Sequence, residues 1–235
     1  SVNDAEQCRE AGANLVLANF INPVADGADF SACPLRLASF IDGRFSGVKF
    51  NRAELNNTNF INPVFSMALF NDASIEHASF INGDFSDASL AGAVVYRANF
   101  IEARVERINF ERARLELPFF MKADFGGYDF RSVNLLRPQF KECNLAAANF
   151  EGMDLTQAGF MEADLSGALF SGAILKQANM IKANLAQANF SGADMEQCLM
   201  QEAKLGKANF SGVRAIQALM VKTDCSGAVF HNADL

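Results

Sequence analysis

Tryptophan is absent from this sequence, and tyrosine and histidine occur only twice each, although phenylalanine occurs 23 times. The aromatic rings therefore serve as apolar filler rather than as hydrogen-bonding groups, and acid–base chemistry near neutral pH has few side chains to draw on. No run of about 18 apolar residues exists, which excludes a membrane-spanning helix. A basic excess is missing as well: 20 Lys and Arg stand against 27 Asp and Glu, for a net charge of −7. Nucleic-acid binding needs a basic footprint, so no direct nucleic-acid partner is expected. The first ten residues, SVNDAEQCRE, are polar and acidic and lack the apolar stretch of a secretory signal. No initiator Met is present, consistent with processing or with a piece of a longer chain.

What the chain does have is a repeat of five. Of the 23 Phe, 22 fall at multiples of five and only Phe119 does not. The 45 such positions from Leu15 to Leu235 hold 22 Phe, 13 Leu, 4 Met, 2 Val, 2 Ala, 1 Ile and 1 Cys, and none is polar. Two residues before each of them lies a second apolar site, occupied by Ala in 28 of the 45 cases. Neither the 3.6-residue helical period nor the two-residue strand period reproduces this pattern. One large and one small apolar residue in every five implies a short extended piece followed by a corner. The chain then winds into a tube with both residues inside, each stacked on its equivalent about 4.8 Å away in the next turn.

A longer period sets the number of corners. The segments Asn-Phe-Ile-Asn (19–22), Ser-Phe-Ile-Asp (39–42), Asn-Phe-Ile-Asn (59–62), Ser-Phe-Ile-Asn (79–82) and Asn-Phe-Ile-Glu (99–102) recur every twenty residues. Four pentapeptides per turn give a square cross-section, and the register predicts about 11 turns over roughly 50 Å. Segments such as Ala-Asn-Phe-Ser-Gly (188–192, 208–212), Ala-Asp-Leu-Ser-Gly (163–167) and Ala-Asn-Leu-Ala-Gln (183–187) resemble the pentapeptide-repeat family. That family's repeat reads Ala-(Asp/Asn)-(Leu/Phe)-X-X. The resemblance covers residues 13–235 and implies an all-β fold, a right-handed quadrilateral β-helix.

Glu10 occupies the next inward position towards the N-terminus, and a tube interior does not accept an unpaired charge. Residues 1–12 are therefore read as a lead-in or N-terminal cap and 13–235 as the β-helix. Leu235 is itself an inward residue with no polar helix after it. Such an end suits either a fragment of a longer protein, the favoured reading, or a coil that packs on another chain. All five cysteines sit at inward positions: Cys8, Cys33, Cys143 and Cys198 at the small site and Cys225 at the large one. Their odd number and the lack of CxxC spacing argue against disulfides or a zinc site and point to a reducing, cytoplasmic setting. His77 and His231 lie far apart and face solvent. No nucleophile elbow, phosphate loop, HExxH or dinucleotide turn is present, and no insertion breaks the register to build a pocket. The expectation is a non-enzyme with no catalytic residues, cofactor or metal.

Function then falls to the four outer faces, named here by their first inward residues. Basic and acidic residues number 6 and 7 on the Leu15 face, 4 and 5 on the Phe20 face, 5 and 7 on the Ala25 face and 4 and 5 on the Phe30 face. The resemblance implies one candidate partner, DNA gyrase, which well-known members of the family bind as mimics of duplex DNA. A duplex carries one charge per ~1.7 Å of axis, and these nearly neutral faces fall several-fold short of that density. Large residues at the small site (Ile108, Tyr128, Met153) are expected to widen or bend the tube locally. One column stands out on the Phe20 face. The residue after each inward position there reads Ile21, Ile41, Ile61, Ile81, Ile101, Met121, Lys141, Met161, Ile181, Gln201 and Val221. Nine of these eleven outward positions are apolar, which marks an interaction stripe; a stabilising β-branched ladder is the competing explanation. The sequence thus points to a rigid protein-interaction module that contacts a partner or a second copy through this stripe. The alternatives are a gyrase-directed DNA mimic and a passive structural domain of a larger protein.

Overall fold

The computed structural model describes residues 15–235; the expected lead-in, residues 1–12, lies outside them. The chain divides into two units, the first ending at Phe120 and the second running from Met121 to Leu235. In both, each pentapeptide is a short extended piece ending in a corner, and paired residues are offset by twenty positions. This is the expected quadrilateral β-solenoid with four pentapeptides per coil. The coils are distributed between the units, a little over five in residues 15–120 and nearly six in 121–235, where the sequence suggested a single run of about 11.

In the first unit the Phe20 face carries the most regular sheet. Strands β1 (Asn19–Ile21), β2 (Ser39–Ile41), β3 (Asn59–Ile61), β5 (Ser79–Ile81) and β7 (Asn99–Ile101) pair in parallel, with Phe on Phe and Ile on Ile. The Leu15 face holds β4 (Ser74–Glu76), β6 (Val94–Tyr96) and β8 (Arg114–Glu116), also parallel. Strand β9 (Phe119–Met121) contains the one off-register Phe. In the second unit, β10 (Asn134–Leu136) and β11 (Gln139–Lys141) are followed by isolated parallel bridges alone. Ile next to the inward Phe favours extended backbone because its branched Cβ fits the pleat. Pro23 and Pro63, just beyond the corners that follow β1 and β3, have no N–H with which to close a tight turn. The corners after β2, β5 and β7, with Gly43, Gly83 and Ala103 at that position, are open bends too, whereas other corners are closed, as by the Val48 N–H on the Phe45 carbonyl at 3.1 Å and the Ala68 N–H on the Phe65 carbonyl at 2.8 Å.

Every corner needs one residue in the left-handed region. From Leu17 to Asn232, the second residue after each inward position has φ between 47° and 71°, with the single exception of Ser132. Ten of these are Gly, and the rest include Arg, Lys, Glu, Gln, Asn, Asp, Ala, Leu, Met and His. None is β-branched, since a branched Cβ collides with the neighbouring carbonyl in this conformation. Positive φ at the third residue of a four-residue turn is the type II geometry. The Asp or Asn before the inward residue secures the same corner. Its side-chain oxygen accepts the N–H two residues on, as Asp164 does from Ser166 at 3.0 Å and Asn189 from Ser191 at 3.1 Å.

The interior is a set of aromatic columns. Phe20, Phe40, Phe60, Phe80, Phe100 and Phe120 stack with centroids 4.7–5.3 Å apart and planes within 20° of parallel. In the second unit Phe130, Phe150, Phe170, Phe190, Phe210 and Phe230 form a column on a different face, the Phe30 face, at 4.7–5.0 Å. Phe45, Phe65 and Phe85 meet the first column edge-on, as at 5.0 Å between Phe60 and Phe65. These are the preferred parallel and edge-to-face geometries of ring pairs. Phe60 and Phe150 are fully buried, so Phe60→Ala and Phe150→Ala should each lower stability by about 3–5 kcal/mol. An exposed corner change, Lys182→Val, should cost about 1–2 kcal/mol although it buries nothing, because a β-branched residue is strained at the φ of 59° found there. Urea denaturation of the three variants checks both expectations.

Candidate interaction surface

The structure divides the expected stripe into two kinds of site. Ile21, Ile41, Ile61, Ile81 and Ile101 form one column in the first unit, each paired in register with the next. Ile21 at the end of the column is 67% exposed, while Ile41, Ile61, Ile81 and Ile101 are half-buried. Each side chain covers much of its neighbour, an effect that no single-residue reading of the sequence reveals. Met121, Met161 and Ile181 of the second unit are half-buried and Val221 is 57% exposed. Met161, Ile181 and Val221 lie in tight turns rather than strands; Lys141 stands between Met121 and Met161, and Gln201 between Ile181 and Val221.

Polar columns border the isoleucines. On one side stand the β-strand residues Asn19, Ser39, Asn59, Ser79 and Asn99. On the other, at the corner, Asn62 donates to the Asp42 carboxylate at 2.8 Å and Asn82 donates to Asn62 at 3.0 Å. A similar amide ladder joins Gln157, Gln177, Gln197 and Gln217 at 2.8–2.9 Å. Charges also pair between coils. Arg107 donates to Asp87 at 2.6 and 2.7 Å, and Lys176 and Arg214 reach Asp194 and Glu196 from the coils on either side. Burial alone would raise the Asp84 carboxyl. Hydrogen bonds from the Ser86 hydroxyl and N–H and from the Ser66 hydroxyl outweigh it, and Asp84 stays below its ordinary range. These partners hold the surface charges in pairs and leave no face with a concentrated sign.

Residues that could carry chemistry are scattered. His77 is exposed and lies edge-on to the Tyr96 ring at 5.4 Å, with the Arg97 guanidinium 5.2 Å from that ring. His231 is exposed in the last coil. Among the described residues no group of three or more His, Cys, Asp or Glu could hold a metal ion, and no helix is long and apolar enough to cross a membrane. Cys33, Cys143 and Cys198 are buried and Cys225 is half-buried, none of the four in a disulfide; Cys8 lies outside the described residues.

The second unit contains one break in the regular stack. Val133 and Met153 occupy the small site in successive coils, where Ala173 and Ala193 follow. The corner between Phe130 and Ser132 is a 3₁₀ turn in place of the left-handed corner found elsewhere. Among the described residues, no backbone hydrogen bond joins 133–137 to 153–156. The ladder is intact on both sides, from Phe130 N–H to the Asn149 carbonyl at 3.0 Å and from Phe140 N–H to the Gly159 carbonyl at 2.7 Å. One coil further on, Leu155 N–H meets the Ile174 carbonyl at 2.7 Å. A cleft of about 470 Å³ opens at the break, lined in part by Val133, Leu136, Met153 and Asp154. The widening expected at Met153 is therefore present. Val133, a residue the sequence did not single out, occupies the small site one coil earlier and lines the same cleft. Where a large residue meets Ala the ladder stays closed: Ile108 is buried and Asn109 N–H reaches the Ala88 carbonyl at 2.9 Å, and beside Tyr128 and Ala148 the Asn149 N–H reaches the Tyr128 carbonyl at 2.9 Å. A cleft has thus formed without the chain insertion that the unbroken register had seemed to require for one.

Comparison with known proteins agrees with this architecture. Models described as pentapeptide repeats (8 copies) match residues 13–116, in overlapping segments, and 208–235; a model described as pentapeptide repeat region matches 133–210. The chain belongs to the pentapeptide-repeat family. Among solved structures, it is similar to HetL, a pentapeptide-repeat protein involved in heterocyst differentiation regulation from the cyanobacterium Nostoc sp. strain PCC 7120. That pair shares 24% identity over 96% of this chain and 94% of HetL, with a TM-score of 0.57. QnrB1, a plasmid-mediated fluoroquinolone resistance protein, shares 18% identity over 86% of this chain and 92% of its own, with a TM-score of 0.35. No curated protein sequence matches the chain.

Burial pushes the Cys143 and Cys198 thiols up to about 12. Between the ordinary thiol range and that value, the folded chain keeps protons that an unfolded chain releases, so stability should fall as pH rises from about 9 towards 12. At pH 8 a thiol-specific disulfide reagent should modify Cys225 in the native protein. Cys143 and Cys198 should react only after denaturation, as peptide mapping by mass spectrometry would show.

Proposed function

We propose that this pentapeptide-repeat chain is a non-enzymatic, rigid protein-interaction module that contacts a protein partner through the isoleucine column of its first unit. The observation that carries this reading is the placement of Ile21, Ile41, Ile61, Ile81 and Ile101 at one outward position of five in-register strands. Half-burial within the column keeps each rung's exposed apolar area modest. The five rungs alone fall short of the ~800 Å² per partner of a standard interface. They suit instead the apolar centre of a contact whose rim is the Ser/Asn column and the Asp42–Asn62–Asn82 ladder. Hydrogen bonds within that ladder hold the rim in place before binding, which lowers the ordering cost of association. Met121, Met161, Ile181 and Val221 are separate candidate contact points of the second unit. The free thiols fit a reducing, cytoplasmic compartment.

A duplex mimic directed at gyrase is the weaker reading, because the charges are mixed on every face and paired between coils. A passive structural domain is the other alternative. The test is capture of partners from host lysate by the wild type and by Ile41→Thr/Ile61→Thr/Ile81→Thr. Thr keeps the β-branch, and it avoids the like-charge repulsion that three Lys on adjacent rungs would introduce. Circular dichroism should be unchanged, and capture of the partner should fall at least about tenfold, the equivalent of ~1.4 kcal/mol. Equal capture of gyrase by both proteins would support the mimic, and capture of nothing by either would support the passive domain.

A further inference from the structure

Five of the left-handed corner residues are asparagines: Asn22, Asn57, Asn62, Asn82 and Asn232, with φ between 50° and 58°. An asparagine loses its amide when the main-chain nitrogen of the next residue attacks the side-chain carbonyl carbon, so the following residue decides the fate of each. Pro23 and Pro63 follow Asn22 and Asn62, and a proline nitrogen has no proton to give up. At Asn57 and Asn232 the turn is closed: Thr58 N–H meets the Leu55 carbonyl and Ala233 N–H the Phe230 carbonyl, both at 3.2 Å. Asn82 differs from all four. It is exposed, and Gly83 follows it in the one Asn-Gly pair of the chain. Its corner is open, since among the described residues the Gly83 N–H has no hydrogen-bond partner. Glycine adds no side chain to shield that nitrogen and gives the backbone most freedom to turn it towards the amide. Packing keeps the pair in place: a Cβ at residue 83 would lie 2.9 Å from the Phe85 ring and 3.2 Å from Pro63, and the left-handed corner favours Asn at 82. Asp42, before Gly43 in the same corner column, already carries a carboxylate, which resists such attack.

We infer that Asn82 is a self-modification site, at which the folded chain slowly exchanges an amide for a carboxylate with water as the co-reactant. The Gly83 nitrogen gives its proton to solvent hydroxide and bonds to Cγ of Asn82. The Cγ–Nδ2 bond then breaks, and Nδ2 takes up a proton from water and leaves as ammonia. Water opens the resulting five-membered imide. Cleavage of the new bond to Cγ gives aspartate; cleavage of the original peptide bond gives isoaspartate, which lengthens the main chain by one carbon at a corner that must return in register. No oxidant or reductant takes part. The Asn82 amide donates to Asn62 at 3.0 Å, and Asn62 donates to Asp42. A carboxylate at 82 has no proton to donate, so that rung of the ladder is lost and a negative charge enters the corner column between Asn62 and Glu102. The chemistry stands by itself; an effect on the isoleucine contact, whose rim this ladder forms, rests on that reading.

The test is incubation of the full chain at physiological temperature and pH, native and in guanidinium chloride, followed by peptide mapping with fragmentation that separates aspartate from isoaspartate. In the native chain Asn82 should convert at least about tenfold faster than Asn22, Asn57, Asn62 and Asn232, because closed corners hold their N–H groups in hydrogen bonds. Both products should form, and the rate should rise with pH as the attacking nitrogen loses its proton. Asn82→Gln, a residue that the same kind of corner holds at Gln177 and Gln197, should fold and keep its amide. Conversion in guanidinium chloride but not in the native chain would overturn the proposal, since the folded corner would then keep the two atoms apart. Conversion no faster than at Asn57, or aspartate without isoaspartate, would overturn it as well. These outcomes are read on the wild type alone, whether or not the variant folds.

Discussion

Stacking of one residue on its equivalent twenty positions away is the interaction on which the rest of this structure depends. A cavity one ring wide, filled by Phe on Phe at about 5 Å, tolerates neither an unpaired polar group nor a slip in register; Thr58, the buried polar residue, gives its hydroxyl to the Leu55 carbonyl. Each coil must therefore present the same large and small residues at the same corners. The left-handed corner, the Asp or Asn that secures it and the ladder hydrogen bonds are all consequences of returning the chain to that stack every twenty residues. Ring pairs supply a specific geometry as well as burial, which explains why Leu and Met, rather than polar residues, take the inward positions that Phe does not.

The same rule turns the outside of each unit into columns. Whatever residue follows the inward Phe is repeated about 5 Å away, so a local preference becomes a line of like groups. Isoleucine gives an apolar line that shields itself, amides give hydrogen-bonded ladders, and opposite charges give pairs between coils. Such a surface is ordered before any partner arrives, a property suited to recognition by a stiff module. The exception is as informative as the rule. Where Val133 and Met153 put two large side chains into successive small sites, the ladder between 133–137 and 153–156 is missing and a cleft opens, while the next coils of the same face are bonded from Leu155 to Ile174 and from Leu175 to Asp194.

Much of this was legible in the sequence because the constraint acts residue by residue. The 22 Phe at multiples of five and the Phe-Ile pairs at intervals of twenty fix the coil, its four corners and its interior without any structural information. Residues such as Gln177 or Arg107 did not disclose their left-handed conformation, because the corner demands only that the residue be unbranched, and most polar residues satisfy that. The Asp and Asn before the inward position read as solvent-facing; their second task, accepting a corner N–H, is a local hydrogen bond without a compositional signature. Half-burial of Ile61 and the turns at Ile181 and Val221 depend on the neighbouring coil. The opening at Met153 was only half visible for the same reason: Ile108 and Tyr128 each keep a closed ladder against a coil that carries Ala at the small site, whereas Met153 faces Val133.

The claim that twenty-residue stacking governs the fold is tested most directly by removing part of one coil. Deleting residues 173–192 takes out one complete coil and joins Gly172 to Ala193 in register, whereas deleting 173–191 leaves one residue too many. The first variant should keep the β-type circular dichroism spectrum and unfold cooperatively in urea, with stability reduced by about one coil's share. The second should lose both the spectrum and the transition in the second unit. Equal behaviour of the two deletions, whether both fold or both collapse, would contradict the account.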